Sequence, residues 1–116
     1  NLKNMKVNDF LQQLYSLCFK YGLEIFSLDY TDVTVFSRIG YSSDVFIQVY
    51  LNSKKEKLNL ALVISKNRIY GVDKEGGIYH EHPFDNPETH IPLEKGISLE
   101  EFILKCIDIL KNLGIL

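Results

Sequence analysis

Two neighbouring segments of alternating side chains constrain this chain more tightly than any other feature. Between residues 44 and 52, Val45, Ile47, Val49 and Leu51 alternate with Phe46, Gln48 and Tyr50. Between residues 57 and 65, Leu58, Leu60, Leu62 and Ile64 alternate with Asn59, Ala61 and Val63. Side chains of an extended chain point to opposite faces with a period of two, so each segment has one strongly apolar face. A helix would spread the same residues around its circumference and unite neither set. Only Ser53 to Glu56 separate the segments, a connection short enough for an antiparallel hairpin. The hairpin therefore needs something to cover its apolar face.

The flanking sequence supplies the cover. Val7, Phe10, Leu11, Leu14, Leu17, Cys18 and Tyr21 recur at three- and four-residue spacing, so residues 7 to 21 read as an amphipathic helix stopped by Gly22. At the other end, Ser98 with Glu101 forms a capping box. Leu99, Phe102, Ile103, Cys106, Ile107, Leu110 and Leu113 then mark the apolar stripe of a closing helix. Residues 23–28 and 33–39 read as strands on either side of a turn at Asp29 to Asp32. Lys66-Asn67 suggests a tight turn into a strand over 68–73, and Lys74-Glu75-Gly76-Gly77 another turn before a brief strand, Ile78 to His82. Pro83, Pro87, Pro92 and Asp85-Asn86 make residues 83–97 a long loop. The 116 residues fit one α+β domain over 1–116, with an antiparallel sheet of four to six sequential strands covered by an N-terminal and a C-terminal helix.

Composition narrows the function classes. No apolar run approaches the ~20 residues of a membrane span, and no signal-peptide pattern opens the chain, so a cytoplasmic protein is expected. Cys18 and Cys106 both fall on apolar helix stripes and read as buried, inert thiols. A net charge of −2 argues against a broad basic surface for non-specific nucleic-acid binding. Local clusters such as Lys54, Lys55 and Lys57, or Lys66 with Arg68, read as solvated charge at turns. Seven tyrosines and seven phenylalanines exceed what base stacking needs, and most belong in the core. Gly76-Gly77 follows a strand, but Ile78 and Tyr79 come next rather than a helix, so no phosphate cradle is expected.

The residues that carry chemistry are concentrated in one stretch, Gly76 to Pro92. All three histidines, His80, His82 and His90, fall within eleven residues of it. Imidazole exchanges protons and binds metals near neutrality. In an extended segment His80 and His82 point the same way. One chemistry open to them is general acid and base, with Arg38 or Arg68 stabilising developing negative charge, as RNA cleavage through the 2′-hydroxyl requires. Gln48, Tyr50 and Asn59 would line an open sheet surface as substrate contacts, with Asp85, Asn86 and His90 completing them from the loop. Asp85, Glu88 and His90 could also join the pair as metal ligands, but the spacing matches no recognised metal signature, and no metal or other cofactor is assigned. A purely structural role is the third reading: histidines that tie the loop to the sheet by hydrogen bonds, with Pro83, Pro87 and Pro92 stiffening it.

Arg68-Ile-Tyr-Gly-Val-Asp, then Gly76-Gly, then His80-Glu-His-Pro-Phe-Asp-Asn-Pro ending at His90, followed by a leucine-rich helix, resembles the TumE-type toxins of prokaryotic toxin–antitoxin modules or an uncharacterised sister family of them. The resemblance covers roughly residues 44–110. Here two histidines precede the Asp-Asn turn and one follows it, where those toxins carry adjacent histidines after it. The resemblance implies a small toxin acting on RNA or another translation component, with an antitoxin as partner. The alternative is a non-enzymatic interaction module whose proline-rich loop and exposed sheet face bind a protein or a second copy of the chain.

Overall fold

Burial of the two apolar strand faces against two helices organises the molecule. The computed structural model describes residues 2–86 and 88–116, with side chains from residue 6 onward. Pro87, read above as part of the loop's stiffening, lies outside the described residues. In chain order the elements are α1 (Leu2–Tyr21), β1 (Glu24–Tyr30), β2 (Thr34–Gly40), β3 (Val45–Asn52), β4 (Lys57–Ile64), β5 (Asn67–Glu75), β6 (Ile78–His82), β7 (Ile91–Leu93) and α2 (Leu99–Asn112). The strands form one sheet in sequential order, β1 to β7, with every neighbouring pair antiparallel.

The architecture is α+β as expected, but among the described residues the sheet has seven strands rather than four to six. The additional strand, β7, lies inside the stretch read as a loop. Its middle residue is Pro92, which lacks an N–H and is tolerated in a sheet only where that donor would face away from a partner. β7 is such an edge, paired on one side to β6 through Tyr79–Leu93, His80–Pro92 and Glu81–Ile91. The turn between β4 and β5 also sits one residue earlier than the sequence suggests, at Ser65 and Lys66, whose φ values are 49° and 71°. Asn67 opens β5 instead, its Nδ2 donating to the Ser65 carbonyl at 3.2 Å.

One apolar cluster joins Leu14, Leu17 and Cys18 of α1 and Phe102, Ile103, Cys106 and Leu110 of α2 to Ile39, Ile47, Val49, Leu60, Leu62, Tyr70 and Val72 of the sheet. Tyr70 stacks on Phe102, with ring centres 5.4 Å apart. Each large apolar side chain buried in this way contributes about 1.5–3 kcal/mol, which fixes the strand register because a one-residue slip would turn the set outward. Ser98 Oγ accepts from the Glu101 N–H at 3.1 Å and Glu101 Oε1 accepts from the Ser98 N–H at 3.0 Å, so the predicted capping box is formed. Lys20 and Tyr21 at the end of α1 both donate to Glu100 at the start of α2, at 2.7 and 2.6 Å.

Both helices therefore lie on one face of the sheet. Residues paired across neighbouring strands project to the same face. The ladder Arg38–Gln48–Ala61–Gly71–His82 and the ladder Phe36–Tyr50–Asn59–Asp73–His80–Pro92 alternate with the core positions, and so occupy the opposite, helix-free face. Among the described residues no helix is long and apolar enough to cross a membrane.

Candidate functional site

The two-residue turn at Gly76 and Gly77, with φ of 57° and 83°, sets the site's register. Glycine enters this left-handed region without the steric cost other residues incur. The turn pairs Glu75 with Ile78, which brings Asp73 opposite His80 and Gly71 opposite His82. His82 is 1% exposed. Its Nε2 lies 2.7 Å from Asp73 Oδ2, and its Nδ1 lies 3.4 Å from Arg68 Nη2. A guanidinium only donates, so Nδ1 is the acceptor and the ring proton sits on Nε2, donated to the carboxylate. This is the neutral tautomer, held from both sides. Asp73 Oδ1 is buried without a hydrogen-bond partner among the described residues.

β7 closes the cluster by delivering His90, the residue just before it. The His90 ring lies edge-on to His82 with centres 4.2 Å apart, and 6.2 Å from the ring of His80. His80 is half-buried and His90 exposed, so both reach solvent. The predicted common orientation of His80 and His82 is present, as the shared contact with His90 requires.

Arg68 joins this cluster to a concavity of about 530 Å³ on the same face, lined chiefly by Arg38, Phe46, Gln48, Asn59, Lys66 and Arg68. Arg38 lies over the Phe46 ring at 5.3 Å. Phe36 and Tyr50 pack edge to face at 6.4 Å beside it. Of the residues expected from the sequence, His80, His82, His90, Arg38, Arg68, Gln48, Tyr50 and Asn59 thus share one surface. Asp85 and Asn86 do not join it. They are exposed in the β6–β7 connection, where the Asn86 N–H donates to the Pro83 carbonyl at 3.2 Å and the Thr89 N–H to the Asn86 carbonyl at 3.0 Å. No hydrogen bond or ring contact links their side chains to the histidines among the described residues.

No family model matches this chain, and neither does any curated protein or solved structure.

Function must therefore be argued from the site. Among the described residues no group of three or more His, Cys, Asp or Glu side chains is arranged to hold a metal ion. The geometry instead offers two solvent-reaching imidazoles, a cation held by the buried third, and a groove lined by cations and amides. Sequence reasoning missed Asp73 and Gly71. Counting outward from the Gly76-Gly77 turn would have found both. A second concavity, about 300 Å³, lies on the helical side among Phe10, Leu51, Leu58, Tyr79, Leu99 and Lys74. It contains no histidine and is separate from this chemistry.

Proposed function

We propose that this is a toxin-like, cytoplasmic protein of prokaryotic type that cleaves RNA at the helix-free sheet face and is restrained by an antitoxin. The observation that carries the reading is the approach of His80 and His90 to one another beside His82, which holds Arg68 at a groove that Arg38 and Lys66 make positive. A ring separation of 6.2 Å lets both imidazoles reach one phosphodiester with hydrogen bonds of about 2.7–3.2 Å.

In this reading one neutral imidazole of the His80/His90 pair takes the proton of a 2′-hydroxyl as its oxygen bonds to phosphorus. The other, protonated, gives its proton to the departing 5′-oxygen as the P–O5′ bond breaks. The products are a 2′,3′-cyclic phosphate and a 5′-hydroxyl. Arg68 supplies charge against the phosphoryl oxygens, and Arg38, four strands from His82 on the same ladder, meets a phosphate further along the RNA. His82, at 1% exposure, acts as a positioning residue that holds Arg68 through one nitrogen and Asp73 through the other.

The test is growth of a bacterial host expressing wild type or His80→Ala/His90→Ala at matched soluble levels, with cleavage by purified protein read on RNA and on the same oligonucleotide with 2′-deoxyribose throughout. Arrest and cleavage by wild type only, with the deoxy strand uncut, is expected. Equal growth with intact RNA would overturn the reading.

A second reading, a non-enzymatic interaction module, draws support from α1. Phe19 is 93% exposed and Tyr15, one turn earlier on the same side, 48%. A protein partner or a second copy of the chain would cover them, and histidine substitutions would then change assembly rather than turnover.

A further inference from the structure

We infer that the substrate of this face is single-stranded RNA whose unpaired bases stack on Phe36, Tyr50 and Phe46 while its phosphates follow Arg38, Lys66 and Arg68 toward the histidines. The inference rests on the RNA reading above and adds the strandedness of the substrate and the part of the sheet that selects it.

Three observations converge. The concavity holds three cations and no carboxylate among its described lining residues, and no ion pair neutralises Arg38, Lys66 or Arg68 among the described residues. In a chain of net charge −2 this is a local match to a polyanion rather than a general property of the surface. Secondly, Phe36, Phe46 and Tyr50 are half-buried on a face that no helix covers, so part of each ring is open to a ligand. Every nucleobase has a π-face, and aromatic side chains on an open sheet are a general way to hold unpaired bases. In an A-form duplex those base faces are stacked inside and only phosphates and groove edges are presented.

Thirdly, the aromatic platform and the histidines are separated along the hydrogen-bonding direction. Arg38 on β2 and His82 on β6 lie on one ladder four strand spacings apart, which is about 19 Å at ~4.8 Å per strand. A strand lying across the sheet would place a stacked base at one end and the reacting phosphate a few nucleotides away at the other. Gly71, on the same ladder between them, is buried with Arg68 and His82 against it, which puts the Arg68 cation on the path between platform and histidines.

Fluorescence anisotropy of the non-cleaving His80→Ala/His90→Ala protein with a labelled 12-nucleotide RNA, alone and annealed to its complement, tests this. Single-stranded RNA should bind at least about tenfold more tightly than the duplex, with Tyr50→Leu weakening it about five- to tenfold and Tyr50→Phe restoring it. Arg38→Gln should weaken both forms, and the single-strand affinity should fall with salt at a log–log slope near −2, about −0.7 for each of three phosphates. Thermal melts check that each variant is folded. Equal or tighter duplex binding, no binding of either form, or an unmoved affinity in folded Tyr50→Leu would overturn the inference. Selective single-strand binding without cleavage by wild type would sink only the cleavage reading, and cleavage indifferent to strandedness only this one.

Discussion

His82 Nε2 lies 2.7 Å from Asp73 Oδ2 while Arg68 approaches the opposite ring nitrogen, so one buried imidazole ties β5 to β6 and sets the position of a guanidinium at the groove. Removing the carboxylate leaves the Nε2–H without this acceptor, a loss worth about 1–3 kcal/mol for a buried donor. Asp73→Ala is expected to lower stability by about that amount in urea titration and to abolish RNA cleavage. Asp73→Asn keeps the volume and an acceptor oxygen, and is expected to recover most of the stability with less of the activity. Equal stability in all three proteins would show that the contact carries no energy.

The contact between the ends of α1 and α2 gives a pH signature. Hydrogen bonds from Lys20 and then Tyr21 hold the Glu100 carboxyl below the ordinary glutamate value of 4.5. A carboxylate depressed on folding adds stability that is present above 4.5 and is lost as pH falls through its folded value. The same contact raises Lys20 above 10.5, chiefly through its hydrogen bond to Glu100, and that share of the stability is present below 10.5 and lost as pH rises through the raised value. The difference in melting temperature between wild type and Glu100→Gln should therefore be flat between pH 6 and 9 and shrink at both extremes. A constant difference down to pH 3 would refute the linkage.

The two thiols offer a probe of the core. Burial pushes Cys18 up to about 11 and moves Cys106 in the same direction. Thiolate is the reactive form. Neither residue should react with a disulfide reagent in the native state at pH 8, and two equivalents should react in denaturant. Rapid native labelling of Cys106, which lies between α2 and the sheet, would contradict the packing.

How much of this was legible in the sequence follows from which residues carry a periodic signal. β3 and β4 were readable because Val45 to Leu51 and Leu58 to Ile64 each have a single apolar face, and α2 because Ser98 and Glu101 mark its start. β7 was not, since three residues around Pro92 have no period to detect and earn their place only by pairing with β6. The shared orientation of His80 and His82 came from the period of two. The approach of His90 did not, because it depends on β7 folding back. Asp73 has no local mark and becomes visible only through the register that Gly76 and Gly77 impose. Burial of His82 was likewise hidden, because alternation places a residue on a face without saying what closes over it.

Gly71 links the fold to the site and gives the sharpest structural test. A Cβ built there would lie 3.0 Å from the Leu60 carbonyl oxygen, 3.4 Å from Arg68 Cδ and 3.8 Å from His82 Cδ2. The carbonyl is backbone within the β4–β5 ladder and yields only if the strands shift, whereas the arginine can swing away. Overpacking of this kind costs about 1–3 kcal/mol. Gly71→Ala is thus expected to unfold at lower urea concentration and, because Arg68 moves first, to lose the donor that keeps Nδ1 of His82 an acceptor. Nitrogen-15 spectra of the imidazoles would register that change as a shift in the His82 Nδ1 resonance, with RNA cleavage reduced even at temperatures where the variant is fully folded. A variant that melts with wild type and leaves the His82 resonances unmoved would show that the glycine is not needed to hold arginine and histidine together.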